Sequence, residues 1–223
     1  MPSTIVHLAL AGLIAAALLG RAFDRRSLGV VLGAVLVIDL DSFIDLVAPY
    51  GHRVVFHNLV LPVAAGGLVL ADVYLREHSY ILDRWGSWGY RVAWVTVLCY
   101  VVAGVLLDLT DGVLNLFWPL HDQFYALEGS IELSDQRGIV QTFVDLSGGS
   151  RAPTPEAVGT TEDVDITTGV DPGEPDTPEE DPERVFPVIG STWELLLFLT
   201  GTAVTVARVS LPTLPDDSAD SRE

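Results

Sequence analysis

Apolar positions along the chain fall into five long runs: Ser3–Gly20, Leu28–Val47, Asn58–Leu75, Val92–Asp111 and Ile189–Val209. A helix needs about 20 mostly apolar residues to cross a hydrocarbon core about 30 Å thick. Each run meets that length or comes close to it, so five membrane-spanning helices are expected. The second and fourth runs carry clustered acids inside them, in 37-VIDLDSFIDL-46 and 106-LLDLTDG-112, while the third holds Asp72 and the fifth Glu194 and Arg208 nearer their ends. A secretory signal has its positive charge ahead of the apolar stretch. Here Arg21, Arg25 and Arg26 follow the first run, which therefore reads as a retained helix.

Arginine placement orients the spans. The 21–27 loop holds three Arg, and the 76–91 loop holds Arg76, Arg84 and Arg91; the 48–57 loop between them holds only Arg53. Both arginine-rich loops are then cytoplasmic, and His78 with them. The N-terminus and residues 112–188 lie outside, and the C-terminus returns to the cytoplasm. The expectation is an all-α, multi-pass plasma-membrane protein: a bundle of about five transmembrane helices, with a small extracytoplasmic β-hairpin and a disordered acidic linker. Its parts are a four-helix core with a polar site (1–121), the hairpin (122–146), the linker (147–188), the fifth helix (189–209) and a tail (210–223). Alternating runs around Glu128-Gly129 and Asp135–Gly138 suggest the hairpin. The linker is Gly, Pro, Thr, Asp and Glu with almost no aromatics, and cannot bury enough apolar area to offset its ordering entropy.

Charge sharpens this division. The net charge is −18 although 49 % of residues are hydrophobic. The two are reconciled by segregation, because residues 122–186 carry sixteen acids against three Arg. All twelve basic residues are Arg and none is Lys. Such acidity suits a high-salt proteome, where charge repulsion is screened, and it excludes a nucleic-acid footprint. The single Cys99 excludes an internal disulfide or a CxxC metal site.

The acids inside the runs raise a question of depth. At about 1.5 Å per residue, Asp39 lies roughly 17 Å from the cytoplasmic end of its helix, Asp108 roughly 26 Å and His7 roughly 20 Å. His57 opens the third helix at the outer face. Four helices thus bring polar groups to the outer half of the membrane. An ionised Asp near the bilayer centre costs about 2.5–3.5 kcal/mol, and a helix C-terminus disfavours carboxylates as well. A divalent cation offsets both. His7, Asp39, Asp41, His57 and Asp108 are the candidate ligands, and mixed His and Asp ligands fit zinc or manganese best. Asp45 is a candidate general base and Arg53 a candidate anion clamp. His52, Asp111 and His121 are possible additional members. Each has a plainer reading: Asp45 as a solvated rim residue, His52 and His121 as interfacial side chains, Asp111 as a helix end.

These residues resemble the YdjM-type family of membrane-bound metal-dependent hydrolases, over roughly residues 4–120, as a haloarchaeal-like member. The likeness rests on His7, Ile38-Asp39-Leu40-Asp41, 52-HRVVFHN-58 and 104-GVLLD-108 followed by Trp118-Pro119. The family pattern has Pro-Asp-x-Asp, His-Arg-x-x-Thr-His-Ser and His-x-x-x-Asp at the three inner motifs. Here Ile38, Phe56, Asn58 and Gly104 depart from it, and Gly104 removes one potential ligand. The resemblance implies a metal-dependent hydrolase. With the outward site, it suggests a lipid or phosphoester substrate near the outer leaflet, with membrane lipids and a divalent metal as partners. An ion-binding or transport protein and a non-catalytic structural membrane protein are the alternatives. Transport is disfavoured because the inner helix halves read as Ala, Val, Leu and Gly.

Overall fold

The computed structural model describes residues 2–44, 53–127, 129–136, 138–142, 156–164, 166, 170 and 185–211. The apolar runs fold as helices, but most stop short of a membrane's thickness. α1 (Thr4–Leu18) and α3 (Val60–Tyr74) have 15 residues each, and α2 (Arg25–Ile38) has 14. At 1.5 Å per residue these reach only about 22 Å. Two paths are long and apolar enough to cross a membrane: Tyr80–Asp108, of 29 residues, and Thr192–Ser210, of 19. The expectation of five full-length spans is corrected to two among the described residues.

Local chemistry explains the shortening. α2 opens on a capping box, in which the Asp24 carboxylate accepts from the Arg26 and Ser27 amides and Ser27 returns a bond to the Asp24 backbone. It ends at Ile38, where the chain tightens into a 3₁₀ turn over Asp39–Phe43. Carboxylates at a helix C-terminus oppose the backbone dipole, so the run expected to reach Val47 breaks at its acids. α3 starts at Val60, and Asn58, two residues ahead of it, accepts from the Leu61 amide through Oδ1.

α4 (Tyr80–Cys99) starts twelve residues before the expected Val92. Its cap is Ser79, whose hydroxyl accepts from the Leu82 amide. Arg84 and Arg91 therefore lie on a helix, where a loop was expected. Gly86 breaks it with φ 60°, ψ −153°, a conformation that needs glycine. Beyond Cys99 the path passes through a π turn (Tyr100–Val105) into the short α5 (Leu106–Asp108). The last helix, α6 (Thr192–Ser210), is capped by Ser191, with Glu194 three residues on.

α1 packs against α2, α4 and α6. Its crossing with α6 is close: a Cβ on Gly201 would sit 2.3 Å from the Ala9 carbonyl oxygen, and one on Gly12 2.5 Å from Thr205 Oγ1. Ala11, Ala15, Val31, Val35, Val95 and Cys99 form the dry centre of the bundle. Many outward residues are also apolar, including Val63 and Leu68 at 71 % exposure and Leu196 at 60 %.

The segment after α5 builds a three-stranded antiparallel sheet in the order β1 (Val113–Leu114), β2 (Phe124–Ala126), β5 (Glu156–Gly159). A separate hairpin pairs β3 (Ile131–Ser134) with β4 (Gly138–Gln141). The expected hairpin therefore forms at the second polar turn only. β2 ends at Ala126 and pairs with β1 and β5 instead. β5 lies within the stretch expected to be disordered, and Asp122 anchors that stretch by accepting from the Thr161 amide and hydroxyl. Backbone pairing and these side-chain bonds supply order that composition did not signal. The remainder of the linker, apart from isolated positions, and residues 212–223 lie outside the described residues.

Candidate metal centre

Opposite polarity marks the two ends of the bundle. At one end Arg91 Nη1 donates to the Leu19 carbonyl (3.4 Å) and Arg208 Nη2 to the Gly20 carbonyl (3.3 Å). At the other, the start of α1 meets the C-terminal ends of α2 and α5. His7 stands there on the second turn of α1, 1 % exposed. Its Nε2 lies 3.2 Å from Asp108 Oδ1 and 3.3 Å from the Pro2 carbonyl. Asp108 is fully buried. The π turn just before it shifts the helical register, and such turns often occur at functional sites.

His57 comes from the irregular chain between the 3₁₀ turn and α3. Its Nε2 is 2.8 Å from Asp108 Oδ2 and 3.9 Å from Asp39 Oδ1. Its other ring nitrogen, Nδ1, is 2.7 Å from Asp41 Oδ2, and the same oxygen accepts the Arg53 amide at 3.1 Å. A proton on Nδ1 donates to Asp41 and leaves the Nε2 lone pair facing Asp108 and Asp39. A carboxylate behind a ligating imidazole commonly fixes the tautomer in this way.

His7, Asp39 and Asp108 each offer an atom within 4.8 Å of the others, and this group can hold a metal ion. Ligands about 2.0–2.2 Å from a shared ion lie at most about 4.4 Å apart, so a small side-chain adjustment completes the geometry. Hydrogen bonding leaves the group unsatisfied: both Asp108 carboxylate oxygens, Asp39 Oδ2 and His7 Nδ1 are buried without a partner. The approaches to Asp108 are short, yet neither has the direction of a hydrogen bond. Buried acceptors facing ring nitrogens without a shared proton are costly, and a divalent cation relieves that cost. On this observation the donor set fits a metal.

Arg53 is shaped by the same segment. It is 4 % exposed and has φ 59°, a left-handed conformation costing about 1–2 kcal/mol for a residue with a Cβ. That conformation aims its amide at Asp41. Its Nη1 donates to the Val113 carbonyl, and its guanidinium lies against Gly112, where a Cβ would fall 2.2 Å from Nη1. The Asn115 amide donates to the Arg53 carbonyl, so the sheet segment holds this loop.

The structure thus brings His7, Asp39, Asp41, His57 and Asp108 together, with Arg53 beside them. Within the group Asp41 contacts His57 and the Arg53 amide, and lies outside the three-residue cluster whose ligand atoms converge. Asp111 and His121 are exposed, and His121 stacks toward Tyr125 with ring centroids 6.5 Å apart. Neither joins the cluster, because the chain turns outward into the sheet after α5. Asp45 and His52 lie outside the described residues.

Sequence reading missed two supports. Tyr100, in the π turn, donates its hydroxyl to the Phe56 carbonyl at 2.6 Å and so pins the residue before His57. Asn58 donates to the Val54 and Val55 carbonyls, closing the loop on itself. An Asn immediately before an apolar helix is a capping signal; nothing local marks Tyr100. Ile38 and Gly104 also touch. A Cβ on Gly104 would lie 2.0 Å from Ile38 Cδ1, so the Ile38 side chain fills the space that a larger residue at 104 needs.

No family model, curated protein or solved structure matches the chain.

Proposed function

We propose that the chain is a membrane-embedded metal-dependent hydrolase acting on a lipid or phosphoester near the outer leaflet. The reading is carried by one observation: carboxylate oxygens of Asp39 and Asp108 are buried without a donor among two imidazoles, contributed by separate elements. A soluble protein rarely exposes as much apolar surface as Val63, Leu68 and Leu196 do here. That supports placing the bundle in a membrane, with Tyr80–Asp108 and Thr192–Ser210 as full spans and the shorter apolar helices packed on them. The arginine distribution supports an external N-terminus and a cytoplasmic C-terminus.

His7, Asp39 and Asp108, with His57 Nε2, would hold the ion. Zinc or manganese suits these ligands. When bound, the ion supplies a Lewis acid and a water acidified for attack. The chain's own groups do the rest. Asp41 holds His57 in the tautomer that presents Nε2. Arg53 brings positive charge to an anionic phosphoester, and Asp45 is the candidate base. The resemblance to YdjM-type hydrolases supports the same reaction class. A conducting path has no support, because Ala11, Ala15, Val31, Val35, Val95 and Cys99 close the bundle between the site and the arginine end.

Metal analysis of the purified protein tests the reading, followed by hydrolysis of an aryl phosphodiester and a labelled phospholipid with and without chelator. About one zinc or manganese per chain is expected, lost in Asp108→Ala, together with chelator-sensitive turnover. Metal-free protein whose stability is unchanged by Asp108→Ala and His57→Ala would sink the proposal.

A further inference from the structure

Arg53 is a buried cation without a counter-ion beside it. It is 4 % exposed, yet its guanidinium makes one hydrogen bond, from Nη1 to the Val113 carbonyl at 3.2 Å. Its Nε is buried with no partner. Asp41 meets the Arg53 backbone amide and not the side chain. Among the described residues no carboxylate oxygen lies within 4.0 Å of the guanidinium. An arginine stays charged in a protein and carries five N–H donors, and a buried charge left unpaired is costly. The Val113 contact does not account for the charge, because a neutral amide side chain would make the same bond.

Gly112 marks where the guanidinium comes out. Gly112 is exposed, and a Cβ there would lie 2.2 Å from Nη1, 3.2 Å from Cζ and 3.4 Å from Nη2. The guanidinium thus takes the place of an exposed residue's side chain, four positions past Asp108. The backbone ties it to the metal centre, since the Arg53 amide and His57 Nδ1 share Asp41 Oδ2 at 3.1 and 2.7 Å. The Asn115 amide holds the Arg53 carbonyl from the sheet side.

A guanidinium fork matches the paired oxygens of a phosphate or a carboxylate. The surrounding acids choose between anions. Asp39, Asp41 and Asp108 bring three carboxylates to this end of the bundle, and like charges close by disfavour a second negative charge on a ligand. A phosphodiester carries one negative charge over two free oxygens. A monoester dianion adds repulsion, and a neutral ester leaves Arg53 unpaired. A free carboxylate satisfies the fork but offers no bond to hydrolyse.

We propose that Arg53 and Gly112 form the seat for the phosphate of a phosphodiester monoanion. Arg53 is the phosphate ligand, and the missing side chain of Gly112 leaves room for its guanidinium. The seat stands on Arg53 itself and rests on the hydrolase reading only in making that diester the substrate.

The full chain is purified in a maltoside detergent, free of phospholipid, and titrated with dimethyl phosphate by calorimetry, with metal content measured on the same samples. Wild type should bind dimethyl phosphate and ignore trimethyl phosphate, its uncharged counterpart. Arg53→Gln, which keeps a donor for Val113, should weaken binding about tenfold, with Arg53→Lys between the two. Gly112→Ala leaves every charge in place and should weaken binding too, by displacing the guanidinium. Tighter binding of dihexanoyl phosphatidylglycerol than of dimethyl phosphate would assign the diester to a lipid, and equal affinities would assign it to a soluble ester. Equal dimethyl phosphate affinity in wild type, Arg53→Gln and Gly112→Ala would overturn the seat. Acetate, or inorganic phosphate at mildly alkaline pH, binding more tightly than dimethyl phosphate would overturn the ligand class. Metal-free wild type that still binds dimethyl phosphate through Arg53 would instead sink the hydrolase reading and leave the seat standing.

Discussion

Asp41 and His57, sixteen residues apart, meet through a 2.7 Å contact between Asp41 Oδ2 and His57 Nδ1, and neither side chain is exposed. Asp41 thereby fixes His57 from behind, on the ring edge opposite the nitrogen that faces Asp108. Replacing it with Asn keeps the size and can put an amide donor where an acceptor stood. Removing such an orienting carboxylate typically costs 10–100-fold in metal affinity. Asp41→Asn should therefore weaken zinc binding by about that factor, whereas Asp108→Ala should abolish stoichiometric binding. Competition titration against a chelating dye measures both. Equal affinities for wild type and Asp41→Asn would remove the orienting role.

Metal occupancy should fall as pH falls, because imidazole and carboxylate ligands must be deprotonated to bind. The loss should appear in zinc titrations on the acid side of neutrality and reverse on raising the pH. Wild type and Asp41→Asn should differ in midpoint, since Asp41 positions one of the two imidazoles.

Asp24 gives a stability prediction of defined sign. Hydrogen bonds from the Ser27 and Arg26 amides hold its carboxyl below the ordinary range. A depressed folded-state pKa means the stabilisation is present above the unfolded value of about 3.9 and is lost as pH falls through the folded value. Asp24→Ala should cost about 1 kcal/mol at neutral pH, as N-cap losses do. The gap between the two melting curves should close under acid conditions. A gap that persists there would mean the cap acts by packing.

Gly104 and Ile38 should be coupled. Gly104→Ala drives a methyl toward Ile38 Cδ1, and overpacking of this kind costs about 1–3 kcal/mol. Ile38→Ala made at the same time should recover most of the loss from Gly104→Ala. A double-mutant cycle on thermal stability in nanodiscs would show strictly additive effects if the contact were unimportant.

Gly201→Ala should be worse than Gly67→Ala. The first places Cβ against the backbone carbonyl of Ala9, which cannot swing away, while nothing lies within 4 Å of the second. α1 must then move, carrying His7 with it. The expected signature is loss of both thermal stability and metal content in Gly201→Ala, with Gly67→Ala close to wild type.

Long apolar runs made the helical character legible from residues alone, and counting along them put His7, Asp39 and Asp108 toward one end of the bundle, because a helix rises by a fixed step per residue. Helix length was not legible. A run such as Leu28–Val47 looks continuous, yet α2 yields to a 3₁₀ turn at Asp39 because carboxylates at a helix C-terminus face an adverse dipole. Nor did composition reveal β5, whose order comes from backbone bonds to β2 made across more than thirty residues of chain.

The sequence alone pointed to His7, Asp39, Asp41, His57 and Asp108 at one end of the bundle and to Arg21 and Arg91 at the other. Only the tertiary structure decided the division of labour: Asp108 between two imidazoles, Asp41 behind one of them, and Ile38 in the space beside Gly104. Those distinctions rest on directions of lone pairs and on contacts of a few ångströms between distant segments. One-dimensional spacing carries neither, because it measures distance along a helix and says nothing of how neighbouring helices are rotated.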